Sequence, residues 1–263
     1  VTSIVLLGVF VGVVMGLTGA GGGIIALPLL VMLLNISVTD ATPVTLLAVG
    51  STALVGALAG LYYKTLRYRA ALLMALTGAT LSPLGIALAH RIDDRYLLGL
   101  FCVILVYVIY HVWTSKQSDM NEANNPLPCI LDSVSGRFVW TSRCSISMMM
   151  FGGLAGFLSG LVGVGGGFVI TPALYRFTHL PAPAIISTSL AVIAINASAV
   201  IASSLYAGHL NWMIAAPFTL GSVGGMLTGR MLVDTIKPQL LKQAYAILML
   251  LVLVLTLSKI FLQ

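Results

Sequence analysis

The amino-acid sequence predicts an all-α polytopic membrane protein made of two inverted-topology repeats. Each repeat holds about five helical segments and opens with a short broken, re-entrant hairpin at a glycine-rich turn. Three observations carry this reading. The 263 residues are 59% hydrophobic and only 8% charged, with a mean hydropathy of +1.07, more apolar surface than a soluble domain of this size can bury. A shift of 144 residues carries Gly16-Leu17-Thr18-Gly19-Ala20-Gly21-Gly22-Gly23 onto Gly160-Leu161-Val162-Gly163-Val164-Gly165-Gly166-Gly167. Each octet also interrupts an apolar segment, where every glycine weakens a helix by about 1 kcal/mol relative to alanine.

The same shift, without a gap, pairs Pro28 with Pro172, Leu46 with Leu190, Tyr62 with Tyr206, Gly85 with Gly229 and Leu97 with Leu241. The chain therefore divides into a first transmembrane repeat (1–114), a polar linker (115–144) and a second transmembrane repeat (145–263). In the first repeat the apolar pattern predicts a helix from Val1 to Leu17, the glycine break, and a short helix from Ile24 to Leu34. Eleven residues rise only about 16 Å, half the hydrocarbon thickness, so the short helix cannot span alone. The first two segments are expected to turn near the midplane, or to form a broken hairpin that reaches across it. Longer helices follow at about Thr42 to Tyr63, Arg69 to His90 and Tyr96 to Trp113. The second copy repeats the series from Met148, with the short helix at Phe168 to Phe177 and the last at Pro238 to Leu257.

Charge orients the copies. Lys64, Arg67 and Arg69 occupy one loop, and its counterpart, Gly208-His209-Leu210-Asn211, has no formal charge. By the positive-inside rule the copies face opposite ways, the linker 115–144 is cytoplasmic and both termini lie outside. The setting expected is a bacterial or archaeal cytoplasmic membrane. The net charge of +6 is spread over short loops and forms no dense basic cluster, which argues against nucleic acid. Cys102, Cys129 and Cys144 are too few and too scattered to predict a disulfide framework. The partners expected are the bilayer and a small anion, with a homodimer compatible with the sequence.

Gly8, Gly12 and Gly16, echoed by Gly152, Gly156 and Gly160, place small residues four apart on one helix face and predict close helix packing. The octets read differently. A half-helix starting at Gly23 or Gly167 presents free N–H groups and about half a positive charge at its N-terminus. Two such ends converging describe an anion site made of backbone. Candidate binding residues are Gly19, Gly21, Gly22 and Gly23 in the first octet and Gly163, Gly165, Gly166 and Gly167 in the second. Ser51, Thr52 and Asn196 fall at the matching depth of the next helices and complete the set. The competing reading for the hydroxyls is a bond to the carbonyl one turn back in their own helix.

All seven acidic residues fall at helix ends or in loops, so a cation site or proton relay built on an intramembrane carboxylate is not expected. No dinucleotide fingerprint, P-loop, zinc helix or Ser-His-Asp set is present, so neither a cofactor nor a metal nor catalysis is predicted.

The paired octets, each followed by a proline (Pro28, Pro172) and then by Thr45-Leu46 or Ser187-Thr188-Ser189-Leu190, resemble the TauE/SafE sulfite exporter family, also called the toluene sulfonate uptake permease family. The resemblance covers both halves and leaves out the linker. It implies a secondary transporter of sulfite, organosulfonates or related small organic anions, with the glycine turns at the substrate site. The copies differ where Pro43-Val44-Thr45 stands against Ser187-Thr188-Ser189. The function expected is transport of a small oxyanion by alternating access. Three alternatives remain: an uncoupled channel or facilitator, a carrier of thiosulfate or a carboxylate, and a scaffold whose glycines only pack helices.

Overall fold

The computed structural model describes residues 2–19, 22–34, 36–114, 129, 141–178, 180–206, 211–232 and 247–257. The protein is all-helical. The first half comprises α1 (Thr2–Thr18), α2 (Gly22–Leu33), α3 (Val38–Tyr62), α4 (Tyr68–Ala89) and α5 (Asp94–Thr114). The second comprises α6 (Ser142–Val162), α7 (Gly167–Phe177), α8 (Ala182–Tyr206), α9 (Trp212–Leu232) and α10 (Ile247–Leu257). Among the described residues α3, α4, α6 and α8 are long and apolar enough to cross a membrane. The short helices α2 and α7 follow the glycine breaks, as the sequence predicts.

Local signals set the helix ends. α3 starts at Val38, earlier than apolar content alone predicts, because Ser37 caps it: Ser37 Oγ accepts the Asp40 amide at 3.0 Å and bonds Asp40 Oδ2 at 2.7 Å. Thr141 caps α6 in the same way, taking the Cys144 amide at 3.3 Å. α6 ends where Gly163 turns left-handed at φ 73° and its amide returns to the Ser159 carbonyl.

The packing follows the glycines. On α1, Gly8, Gly12 and Gly16 lie against the backbone of Phe218, Ser222 and Met226 on α9, so the two helices run parallel. On α6, Gly152, Gly156 and Gly160 lie against the backbone of Met74, Gly78 and Ser82 on α4, again parallel. These seams are the same set of contacts in the 144-residue register, with each first helix seated on the fourth helix of the other half. Between them α3 and α8 run antiparallel: Gly50 faces Ala197, Gly56 faces Leu190 and Gly60 faces Ser187. Leu54, Leu58, Leu72, Leu76, Leu220 and Leu227 point outward, as expected of helices whose solvent is lipid.

The cysteines, too few and too scattered in the sequence to predict a disulfide framework, do form one bridge. Cys129 and Cys144 are joined by a disulfide, 15 residues apart. The physical reason is tertiary: Cys129 pairs by a parallel β-bridge with Thr178, just beyond α7, which brings it beside Cys144, the buried residue of an otherwise exposed first turn of α6. Spacing in a polar linker could not announce that return.

Gly156→Leu is expected to destabilise the protein by about 1–3 kcal/mol or more, because the side chain enters the Gly78 backbone. Gly224→Ala, on the open face of the same bundle, should leave stability unchanged or raise it by up to about 1 kcal/mol. Thermal unfolding of both variants in detergent checks the contrast.

Candidate functional site

Both breaks lie in the protein interior. Gly19 leaves α1 at φ 80°, and α2 starts at Gly22; in the second break Gly163, Gly165 and Gly166 all have positive φ (73°, 80° and 70°). That backbone requires glycine, since an L side chain in this region costs about 1–2 kcal/mol per residue. Gly19, Gly22, Gly23, Gly163, Gly165, Gly166 and Gly167 are all buried, whereas Gly21 lies outside the described residues.

The turns lie beside the later parts of the long helices of the opposite half. Gly16 faces Gly229 and Arg230 in the last turn of α9, and Gly160 faces Ser82 and Ile86 late in α4. The tips approach opposite ends of the central pair: Gly19 lies against Ile186 early in α8, and Gly163 against Thr42 early in α3. The chain then doubles back, and the breaks meet. Gly23, in the first turn of α2, abuts the Val164 carbonyl, and Gly165 rests on Val49 and Ile193, one from each central helix.

The first turn of α2 thus abuts the second break at Val164, in the turn that leads into α7 at Gly167. Both α2 and α7 start at these breaks. Their first amides have no acceptor within their own helices, and their dipoles add partial positive charge. The arriving helices contribute the opposite sign, because α1 and α6 end at the same breaks. A polar tie joins the halves: Thr45 Oγ1 lies 2.8 Å from the Thr42 carbonyl and 3.1 Å from the Gly163 carbonyl, within reach of donation to either.

The predicted hydroxyl and amide residues divide. Ser51 is half-buried and donates to the Leu47 carbonyl of its own helix at 2.7 Å. Thr77, Thr80 and Ser222 are held in the same way, and Thr80 is exposed. Thr52 is buried beside the first break, 2.8 Å from Met15 Sδ and 2.9 Å from the carbonyls of Ala48 and Val49. Asn196 is fully buried, and neither of its amide atoms has a hydrogen-bond partner. It sits one turn past Ile193, over Gly78 of α4.

Three residues at the site escape a reading by depth alone. Thr45 is visible only as part of the proline-hydroxyl motif after the first octet, and Thr42 only as the expected start of the third helix. Ser159 carried its signal in the register, since the shift sets it opposite Met15, a polar residue against an apolar one. Replacing Thr45 by Val should cost about 1 kcal/mol, the net worth of one buried hydrogen bond, through loss of the tie to Gly163. Ser51→Ala, which disturbs only a bond within one helix, should unfold like the parent in the same melting experiment.

Comparison with known proteins agrees with this architecture. The family described as "Sulfite exporter TauE/SafE" matches residues 4–256, both halves and the linker between them. The chain is 26% identical over 234 residues to the "Probable membrane transporter protein YunE" of Bacillus subtilis (strain 168), covering 85% of each. It is 30% identical over 228 residues to a "Probable membrane transporter protein" of Xylella fastidiosa (strain Temecula1 / ATCC 700964), covering 86% of this chain and 82% of the relative. A third relative, "Probable membrane transporter protein YjnA" of Bacillus subtilis (strain 168), is 24% identical over 250 residues, covering 90% and 92%. No solved structure gives a significant match. With paired breaks in an all-helical bundle and a match spanning nearly the whole chain, the protein belongs to the TauE/SafE sulfite exporter family and is a membrane transporter rather than an enzyme.

Proposed function

We propose that the protein carries a small oxyanion, sulfite or an organosulfonate, across the cytoplasmic membrane by alternating access at the two glycine breaks. The observation that carries this reading is the meeting of the first turn of α2 with the second glycine break, at Gly23 and Val164. Helix N-termini favour an anion through free N–H groups and partial positive charge. The family description points to the same class of substrate.

The exchanged seams support an inverted pair of repeats. Corresponding helices α3 and α8 run antiparallel, and α1 on α9 repeats α6 on α4. In such a pair, rocking one half against the other opens the centre to alternate sides. The glycine seams are the surfaces along which that motion runs. Gly19, Gly21, Gly22 and Gly23 with Gly163, Gly165, Gly166 and Gly167 form the substrate shell, and Thr52 and Asn196 flank it. Ser51 contributes through the backbone of its helix. Lys64, Arg67 and Arg69 set the linker on the cytoplasmic side. On that side thiols are kept reduced, so the Cys129–Cys144 bond closes there under oxidising conditions only. Trapping of thiols in growing cells should find both cysteines free, and a fully formed bond in those cells would reverse the orientation.

An uncoupled facilitator is the second reading, favoured by the absence of acidic side chains from the buried described residues. Purified protein should melt higher in sulfite or a sulfonate than in equimolar chloride, by about 2.7 kcal/mol of added stability at a hundredfold excess over the dissociation constant. Gly166→Leu, which puts a side chain on a left-handed residue against the Ala155 carbonyl, should insert yet lose both stabilisation and flux in proteoliposomes. Unaltered flux in Gly166→Leu and its counterpart Gly22→Leu would remove the breaks from the substrate path.

A further inference from the structure

The 144-residue register exposes an asymmetry between the halves. Thr52, Met15 and Met226 in one environment correspond to Asn196, Ser159 and Ser82 in the other. In the first, the hydroxyl of Thr52 rests on Met15 sulfur and two carbonyls of its own helix, and the Met226 methyl lies at Gly56. In the second, all three side chains are polar and 0% exposed, and Ser82 Oγ, Ser159 Oγ, Asn196 Oδ1 and Asn196 Nδ2 have no hydrogen-bond partner. Burying an unpartnered hydroxyl or amide costs about 1–3 kcal/mol. Three such residues at one junction call for a ligand.

The three come from three helices that meet at Gly78. A Cβ on Gly78 would stand 2.6 Å from both amide atoms of Asn196. Ser82 follows one turn later on α4, and its carbonyl packs against Gly160, the neighbour of Ser159. Ser159 lies in the last turn of α6, where the helix carries partial negative charge. The cap amide of Gly163 takes the Ser159 carbonyl, and the carbonyls of Gly160, Leu161 and Val162 have no donor within the helix.

We propose that Ser82 Oγ, Ser159 Oγ and Asn196 Oδ1 bind a sodium ion at the C-terminal end of α6. Hydroxyl and amide oxygens are hard neutral ligands, and the sign of the site is set by the helix end. Unwound carbonyls and half-helix C-termini are the groups that hold alkali cations in transporters with broken helices. The described residues contain no cluster of His, Cys, Asp or Glu of the kind that holds a divalent metal. Gly156 seats directly on the backbone of Gly78, which brings α4 and α6 together beside Asn196. With Oδ1 on the cation, Asn196 still has an Nδ2 donor for an oxyanion at the adjacent break, so one side chain couples the two. That coupling rests on the anion reading above, whereas sodium binding does not.

The test is thermal unfolding of the full chain in detergent, without sulfite, in sodium, potassium and choline chloride at equal concentration. Sodium should raise the melting temperature saturably, and potassium and choline should not. Ser159→Ala and Ser82→Ala, which remove one oxygen each from folded protein, should raise the half-saturating sodium concentration about tenfold or more. Identical melting in sodium and choline overturns the proposal and leaves water as the occupant. Equal stabilisation by potassium overturns the choice of ion. Unchanged sodium response in both serine variants overturns the ligands. In proteoliposomes, sulfite flux should rise with an imposed sodium gradient. Flux indifferent to sodium refutes coupling, while sodium stabilisation without any sulfite flux or binding refutes the anion reading and spares the cation site.

Discussion

Broken backbone inside a bilayer must be enclosed by protein, because hydrocarbon offers no partner to a free N–H or C=O. Everything else in this molecule follows from housing two such breaks. Each broken hairpin is wrapped by the central α3–α8 pair and by a long helix from the opposite half. Wrapping that close is possible only where one backbone rests directly on another, and this is the work of Gly8, Gly12 and Gly16 and of Gly152, Gly156 and Gly160. The octets and the glycine ladders therefore serve one end, and a reading that assigns the first to binding and the second to packing separates parts of the same structure.

The two halves share a scaffold but not a chemistry. In one, Thr52 is satisfied by its own helix and by Met15, and the space beside it is closed with methionine. In the other, the same positions bring in an amide and two hydroxyls with nothing to bond. The difference extends to the motif after each break. Thr45 reaches across to Gly163, while Ser187, Thr188 and Ser189 all bond to carbonyls of α8. Thr188 also accepts the Arg67 amide and so fixes the loop between α3 and α4. A symmetric frame thus holds a lopsided interior, with its polarity concentrated near the second break.

Much of the fold was legible because hydrophobic content and register are linear properties. Helix order, the half-length α2 and α7, and the small-residue seams all follow from reading along the chain. Helix starts were legible less well: capping by Ser37 and Thr141 extends α3 and α6 into residues whose polarity reads as loop. What the sequence could not supply was which face meets which. Depth placed Ser51 and Thr52 together, but one residue of helix rotation sends Ser51 to its own backbone and Thr52 toward Met15. The disulfide was hidden for a similar reason, since it depends on Cys129 returning to Thr178 rather than on any spacing between cysteines.

The exchanged seams have a consequence for how the molecule is made. When the first half has left the ribosome, α4 has buried nothing against its glycine-bearing face, because the partner of that face is α6. α1 waits longer still, for α9. Helices enter the bilayer in chain order but pair out of order, so the early ones must persist as independent spans or be shielded by the insertion machinery until late ones arrive. Within either half alone the glycine seams have no partner. The seam between α1 and α9 therefore closes only after the second break has been made, so the first break stays unenclosed on that side until then.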